Sequence, residues 1–527
     1  FMYYYENYNK IIEKNCSFGI LENKNNVYIV NNNEIKNNRA IHNDIVYINN
    51  NKIIGIKERS KQKISGILYM NNNKSYGKNK KNMNYYKFKP LSKKFPDFLV
   101  PSSLNTKNKV YIVISFNNWD VTSKYPIGIC ENIIGEIGNI DNEYEVLLHK
   151  YDLKNKKIKF DKNKINNDLN DKIDKTDYNI ITIDPKDCVD NDDGLHININ
   201  NDIYEIGVHI TDVSYYINDL SIFNDRLTSS IYYNNNVINM IPEIYSNNIC
   251  SLRENTKKRC ISLIYKYNKN GILLSCDIKL CNVYIDKNYD YDEIDILLKK
   301  QPNSDLNKIC KLLDCNNSHE LIEKLMINSN KYIGELLYNY NNKFTILRVH
   351  NIKEDMFNNK YIENNKLNDY LKFKNYESAY YEKNNLNPFH KGLNIKYYTH
   401  YTSPIRRFVD IVNNINIKKY LLNESLLDID NNNINKVNKI NKNIKKFNRD
   451  CILLDLCKKL DINNYKTNAF IIDKTSDKLI LYIDEFNLEY KKKTNILNYN
   501  IFDRIEINIY IIKNNDKLKD KVMLNIL

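Results

Sequence analysis

Five aspartates fall within ten residues, from Asp184 to Asp193, in the run IDPKDCVDNDDG. Carboxylates crowded this closely repel one another, so folding them onto one surface is costly unless a hard divalent cation neutralises them. Asp184, Asp190, Asp192 and Asp193 are the four that can converge on such a cation, with Mg²⁺ the expected species. The competing reading is a solvated acidic turn, because Asp, Asn, Pro and Gly are also turn formers. A calcium-binding EF-hand fails on spacing. Counted back from Gly194, Val189 stands where the first ligand belongs and Asn200 where a bidentate Glu is needed.

A second constellation is YTHYTSPIRRFVD, residues 398–410, with Arg406 and Arg407 side by side in a chain where only ten of 79 basic residues are arginine. Lysine would serve any general need for charge, so the pair asks for guanidinium geometry. Guanidinium grips phosphate bidentately and stays charged, which suits a scissile phosphate approaching its transition state. A structural arginine that caps or bridges helices is the alternative.

These residues need elements to hold them. Tyr178, Ile180, Ile181, Thr182 and Ile183 precede the acidic run and alternating His196, Ile197, Asn198 and Ile199 follow it, which reads as strand, loop, strand. Residues 16–56 and 64–153 alternate short β-branched and aromatic runs with Asn-rich turns, the texture of two small β-barrels. A Lys/Asn/Asp-rich stretch, 154–177, reads as a linker. Strand-like runs then reach to about residue 283. Helical spacing takes over at Leu321, Leu325, Ser329 and Ile333, and again over residues 434–460. The last sixty or so residues return to alternation, consistent with a third barrel. The expected fold class is multidomain α+β, a mixed α/β central domain flanked by OB-fold β-barrels, with boundaries at 1–61, 62–165, 166–462 and 463–527.

Composition narrows the function. The chain has 527 residues, 42% of them hydrophobic, enough for several cored domains. Its excess of Asn, Lys, Ile and Tyr runs evenly along the sequence and reads as AT-rich codon bias instead of low complexity. A formal charge of +15 suits a polyanionic partner, nucleic acid ahead of an acidic membrane surface. Eleven cysteines without CxxC pairs argue against a zinc site or a secreted disulfide framework. No apolar run reaches membrane length and no signal-peptide core opens the chain, so the expectation is a nuclear or cytoplasmic protein, neither secreted nor membrane-bound. The sequence begins with Phe1, which leaves an upstream domain open.

IDPKDCVDNDDG (183–194) and TSPIRRF (402–408), in this order, resemble the signature of the ribonuclease II, or RNB, family of exoribonucleases. Intervening blocks agree: VHITDVSYYI (208–217), NMIPEIYSNNICSLR (239–253), DYDEI (290–294) and LIEKLMINSN (321–330). NNRAIHNDIVYI (37–48) and SKYPIGICENIIGEIGNIDNEYEVLL (123–148) resemble the two cold-shock-type barrels of the eukaryotic RNA exosome's catalytic subunit.

That resemblance implies a processive, Mg²⁺-dependent 3′–5′ exoribonuclease that threads single-stranded RNA through a basic channel and releases nucleoside 5′-monophosphates. By position, Asp184, Asp190, Asp192 and Asp193 would hold Mg²⁺ and orient the attacking water, while Arg406 would steady the scissile phosphate. Tyr291 would stack on the 3′-terminal base, Glu323 would fix the terminal nucleotide, and Arg253 and Arg407 would contact RNA. His209, His390 and His400 are assigned to packing, since metal-bound water needs no imidazole base. Implied partners are RNA with a free 3′ end and the ring subunits of an exosome, in RNA processing and decay. The alternatives are an exosome-independent exoribonuclease and a catalytically silent RNA-binding protein of the same fold. Two departures stand out: a shortened interval over residues 348–390, and Asn414 where relatives usually carry histidine.

Overall fold

The computed structural model describes residues 16–527 except 25, 71–75, 107, 155–177, 218, 225, 353–363, 376, 461–463 and 495–497. Apart from Lys154, the expected linker lies outside the described residues, as does part of the shortened interval. The chain divides into two compact units, Lys154–Lys442 and the combination of Phe1–Leu153 with Asn443–Leu527.

In the first of these, the β-branched run before the acidic cluster forms the strand Ile180–Asp184, and the alternation after it forms Asp193–Asn200. With Ile203–Thr211, Thr256–Asn268 and Leu273–Asp290 they build a closed five-strand barrel. Closure comes from a parallel pairing of the first strand with the last, from Ile180 opposite Ile285 to Asp184 opposite Asp290. Asp184 therefore stands at the barrel's end beside the start of the helix Tyr291–Lys300.

Inward-facing Ile183, Leu195, Ile206, Val208, Ile210, Ile261 and Leu263 share a core with Leu321, Leu325, Ile333 and Leu337 of the helix Ser318–Tyr340. The 321/325/329/333 spacing thus becomes one face of a single 23-residue helix, with all four positions buried. Gly334 on that helix lets another segment close in: a Cβ there would lie 1.9 Å from the Tyr397 carbonyl oxygen. The chain carrying the arginine motif is laid directly on the helix at this point. After the motif, Phe408, Val409, Ile411 and Val412 of the helix Phe408–Leu421 enter a second core with Val213, Met240, Ile241 and Ile405.

In the other unit the β-rich modules differ in closure. Ile64–Tyr69, Asn84–Pro90, Phe98–Ser102, Val110–Asn118 and Ile127–Glu136 form a closed barrel around Phe88, Phe98 and Ile112. Residues 16–58 form two three-stranded sheets instead of one closed ladder. The C-terminal module is a five-stranded sheet, and its outer strands, Leu488–Lys493 and Val522–Ile526, do not pair with each other. Leu453, Leu456 and Cys457 of the helix Asn431–Lys459, with Leu460 just past its end, share this sheet's core, so its apolar face is buried without closure.

This unit joins sequence-distant pieces through a buried charge. The Glu143 side chain lies 3.0 Å from Lys521 Nζ, and both residues are almost inaccessible. Glu143 also accepts from the Tyr111 hydroxyl and the Gly138 amide, while Tyr69 and Lys109 bind Asp516. Removing one partner of such a pair strands the other charge. Lys521→Met is expected to cost about 3–5 kcal/mol in a urea unfolding titration, and adding Glu143→Leu is expected to recover much of it.

Candidate active site

The acidic loop is fixed by a residue that is not acidic. Asn191 is buried, and its side chain donates to Thr182 Oγ1 at 3.0 Å while its own amide donates to Ser251 Oγ at 3.1 Å. Its carbonyl accepts from Leu252 N–H, and the Asp192 carbonyl accepts from Thr211 N–H. With the backbone pinned, the flanking carboxylates are aimed into a cavity of about 580 Å³. Asp187 sits at φ +64°, in the left-handed region common in turns, and does not line the cavity.

Asp184, Asp190, Asp192, Asp193, Tyr291, Glu323, Arg406 and Arg407 all line this cavity. Arg253 does not, and neither do His209, His390 and His400. His209 lies between His196 Nδ1 and Ser262 Oγ, each at 2.7 Å, and His400 meets the Tyr381 hydroxyl at 2.6 Å.

The four carboxylates are not equivalent. Asp192 is 3% exposed and already engaged: Oδ1 accepts from Ile405 N–H at 2.8 Å, and Oδ2 accepts from Arg406 Nε at 3.3 Å. Arg406 also donates to Ser403 Oγ at 3.0 Å, and its side chain stays half-exposed. Asp190 accepts from the Tyr232 hydroxyl at 2.6 Å and stands 3.6 Å from Cys188 Sγ. Asp184 Oδ2 is buried with no hydrogen-bond partner among the described residues. Arg407 donates to Asp410 Oδ1 at 2.7 Å, which also accepts from Ser403 N–H.

Burial pushes the Asp184 carboxyl up to about 6, with the charge of Asp190 adding to the effect against Thr182 and Arg406. It pushes Asp192 up to about 8 against the opposing Arg406 and Ile405 N–H. Asp193 is raised by burial and then by Asp184 and Asp192. Carboxyls whose ionised forms burial penalises, one of them with an unpartnered oxygen, form a donor set that a hard divalent cation would stabilise. Convergence is less complete than the sequence suggested: among the described residues no three His, Cys, Asp or Glu side chains are drawn together as a finished metal site. Asp192 faces Arg406 instead.

These shifts carry a sign. A carboxyl whose folded pKa exceeds its unfolded value stabilises the fold fully below about pH 4 and loses that contribution as pH rises through the folded value. Without metal, the carboxyl contribution to the thermal midpoint is expected to fall between about pH 4 and 8 as Asp184 and then Asp192 ionise, against the opposite contribution of His196, His209, His390 and His400, whose pKa values burial lowers. Adding Mg²⁺ is expected to raise the midpoint more at pH 8 than at pH 5, as measured by scanning calorimetry with and without chelator.

Sequence reasoning missed Tyr232, Ser403 and Asn191. Tyr232 lies on a short hairpin, Ile231–Tyr233 with Asn236–Ile238, in a chain with 43 tyrosines, and nothing in its surroundings set it apart.

A model of the RNB domain matches residues 172–315 and 307–423, and one of the Dis3-like cold-shock domain 2 matches residues 85–152. The probable exosome complex exonuclease RRP44 of Caenorhabditis elegans is 27% identical over 241 residues, 42% of this chain and 24% of that protein. The chain thus matches about a quarter of that relative's length. Among solved structures, Mycoplasma genitalium RNase R in complex with ribose methylated single-stranded RNA superposes with a TM-score of 0.72 at 17% identity, covering 97% of this chain and 100% of that one. Yeast Ssd1, a pseudonuclease, gives 0.68 at 16% identity over 96% of this chain and 83% of that one. At these identities the two structures speak to fold alone. Together the two family models span well over half the chain, which belongs to the RNB family of 3′–5′ exoribonucleases.

Proposed function

We propose that this protein is an active, Mg²⁺-dependent 3′–5′ exoribonuclease that degrades single-stranded RNA processively to nucleoside 5′-monophosphates. The observation that carries this reading is one cavity lined by Asp184, Asp190, Asp192 and Asp193 together with Tyr291, Glu323 and Arg406. Asp184, Asp190, Asp192 and Asp193 would hold the metal, which when bound supplies an activated water and charge neutralisation at the phosphate. Arg406, steadied by Asp192 and Ser403, would meet the scissile phosphate with its exposed guanidinium. Tyr291 would stack on the terminal base and Glu323 would hold the terminal nucleotide. Arg407, tied to Asp410, would keep the motif's backbone in place and touch RNA more weakly. Arg253, outside the cavity, would contact RNA only beyond the reacting end.

The Dis3-like cold-shock match favours service in an exosome, in nuclear or cytoplasmic RNA processing and decay, over action as a free exoribonuclease. Co-purification with ring subunits tests this. A silent RNA-binding role is the second reading, favoured by the incomplete convergence of the carboxylates. The deciding experiment incubates the chain with 5′-labelled single-stranded RNA and Mg²⁺, with and without chelator. Collapse to a short 5′ oligonucleotide that chelator blocks is the expected result. Binding without cleavage supports the silent role.

A further inference from the structure

Tyr291 opens the helix Tyr291–Lys300, and His319 lies in the first turn of the helix Ser318–Tyr340. Their rings stack face to face, with centroids 3.7 Å apart and planes 13° from parallel. His319 is exposed, so burial in a core does not hold it there. Hydrogen bonds at its neighbour do. The Ser318 amide donates to Asp295 Oδ1 at 2.8 Å and the Ser318 hydroxyl donates to the Tyr291 carbonyl at 3.1 Å. A capping box between Asp290 and Glu293 fixes the start of the Tyr291 helix as well. The two rings are therefore brought together by built backbone contacts at both helix starts.

The arrangement continues into the cavity. Glu323 is four residues beyond His319, one turn along the same helical face, and both Tyr291 and Glu323 line the cavity while His319 does not. One face of the Tyr291 ring is thus covered by imidazole from outside the cavity, and the ring still contributes to the cavity wall. Tyr291 also packs, partly buried, against the barrel core, so core and imidazole together restrict rotamer freedom that a ligand would otherwise have to remove on binding.

We propose that His319 is a positioning residue for the 3′-terminal nucleotide. Stacked behind Tyr291, it sets the tilt of that ring before RNA arrives and extends it into a two-ring platform for the terminal base. This inference rests on the reading of Tyr291 as the residue that receives that base. The imidazole acts through tyrosine, by shape and π-stacking, so another flat aromatic ring is able to replace it. A stacked pair of this kind corresponds to about a three- to tenfold effect on affinity.

The test uses the full chain, in chelator so that no RNA is consumed, and single-stranded RNA carrying 2-aminopurine as its 3′-terminal base. Stacking quenches this fluorophore. The wild-type protein is expected to quench it on binding and Tyr291→Ala to abolish the quench. His319→Ala is expected to weaken binding about three- to tenfold with partial loss of the quench, and His319→Phe to restore both. Thermal melts confirm that each variant is folded, as expected for an exposed position. Wild-type-like or tighter binding by His319→Ala, with a full quench, overturns the proposal and leaves the reading of Tyr291 standing. Failure of His319→Phe to restore the quench also overturns it. Absence of a quench in the wild type overturns the terminal-base role of Tyr291, and the proposal with it.

Discussion

Asp192→Asn is expected to abolish RNA hydrolysis, lowering turnover by about a thousandfold or more, while RNA affinity stays near that of the unmodified chain. The geometry gives two reasons. Asp192 would contribute charge to the metal site, and a neutral amide contributes far less. Its two oxygens also accept from Ile405 N–H and Arg406 Nε, whereas an asparagine has one oxygen and turns an amino group toward the second donor. Arg406 would then lose its tether as well as its counter-charge. Folding is expected to survive, because burial already drives Asp192 toward its neutral form, with a pKa of about 8. Single-turnover cleavage with Mg²⁺, alongside binding in chelator, separates these effects. Retained turnover counts against the catalytic role of Asp192, and lost binding counts against its separation from the RNA path.

The second large effect is expected at Arg406. Arg406→Lys keeps a positive charge but loses the planar fork that spans Asp192 on one edge and Ser403 on another. A single ammonium cannot hold both and also face a phosphate. Turnover is expected to fall by about a hundred- to a thousandfold at saturating RNA, with a much smaller change in the RNA concentration at half-maximal rate. Arg407→Lys is the informative companion. Its guanidinium is bound to Asp410, so the expected deficit is smaller and shows partly as lost thermal stability. Equal kinetic losses at the two positions would contradict the division of labour drawn here.

Much of this site was legible in the sequence, for identifiable reasons. The acidic run lay between two strand-like segments whose period of two survives in the barrel, and the arginine pair stood out against a lysine background. The helix Ser318–Tyr340 could be read from four positions because its buried face follows the ideal helical period. What escaped was non-local. Asn191 looked like one more turn former, yet its partners Thr182 and Ser251 belong to other segments. The bond from Arg406 to Asp192 joins residues 214 positions apart, and no local pattern encodes it. Arg253 was drawn in by its place in a motif, and its side chain lies outside the cavity lining. Closure of the central barrel depends on a parallel pairing across about a hundred residues, whereas hairpin neighbours announce themselves through the turn between them. The expected barrels at the two ends of the chain show the reverse. Alternation revealed the strands, but it did not reveal that one module splits into two sheets and that the other buries its open face beneath a helix.

The pairing of Glu143 with Lys521 imposes an order of events on synthesis. A ribosome makes Glu143 378 residues before its cationic partner Lys521, so this acid lacks that partner while the intervening chain emerges. A truncated or stalled product therefore carries an uncompensated acid on an unfinished surface, a feature by which quality control could tell an incomplete chain from a finished one.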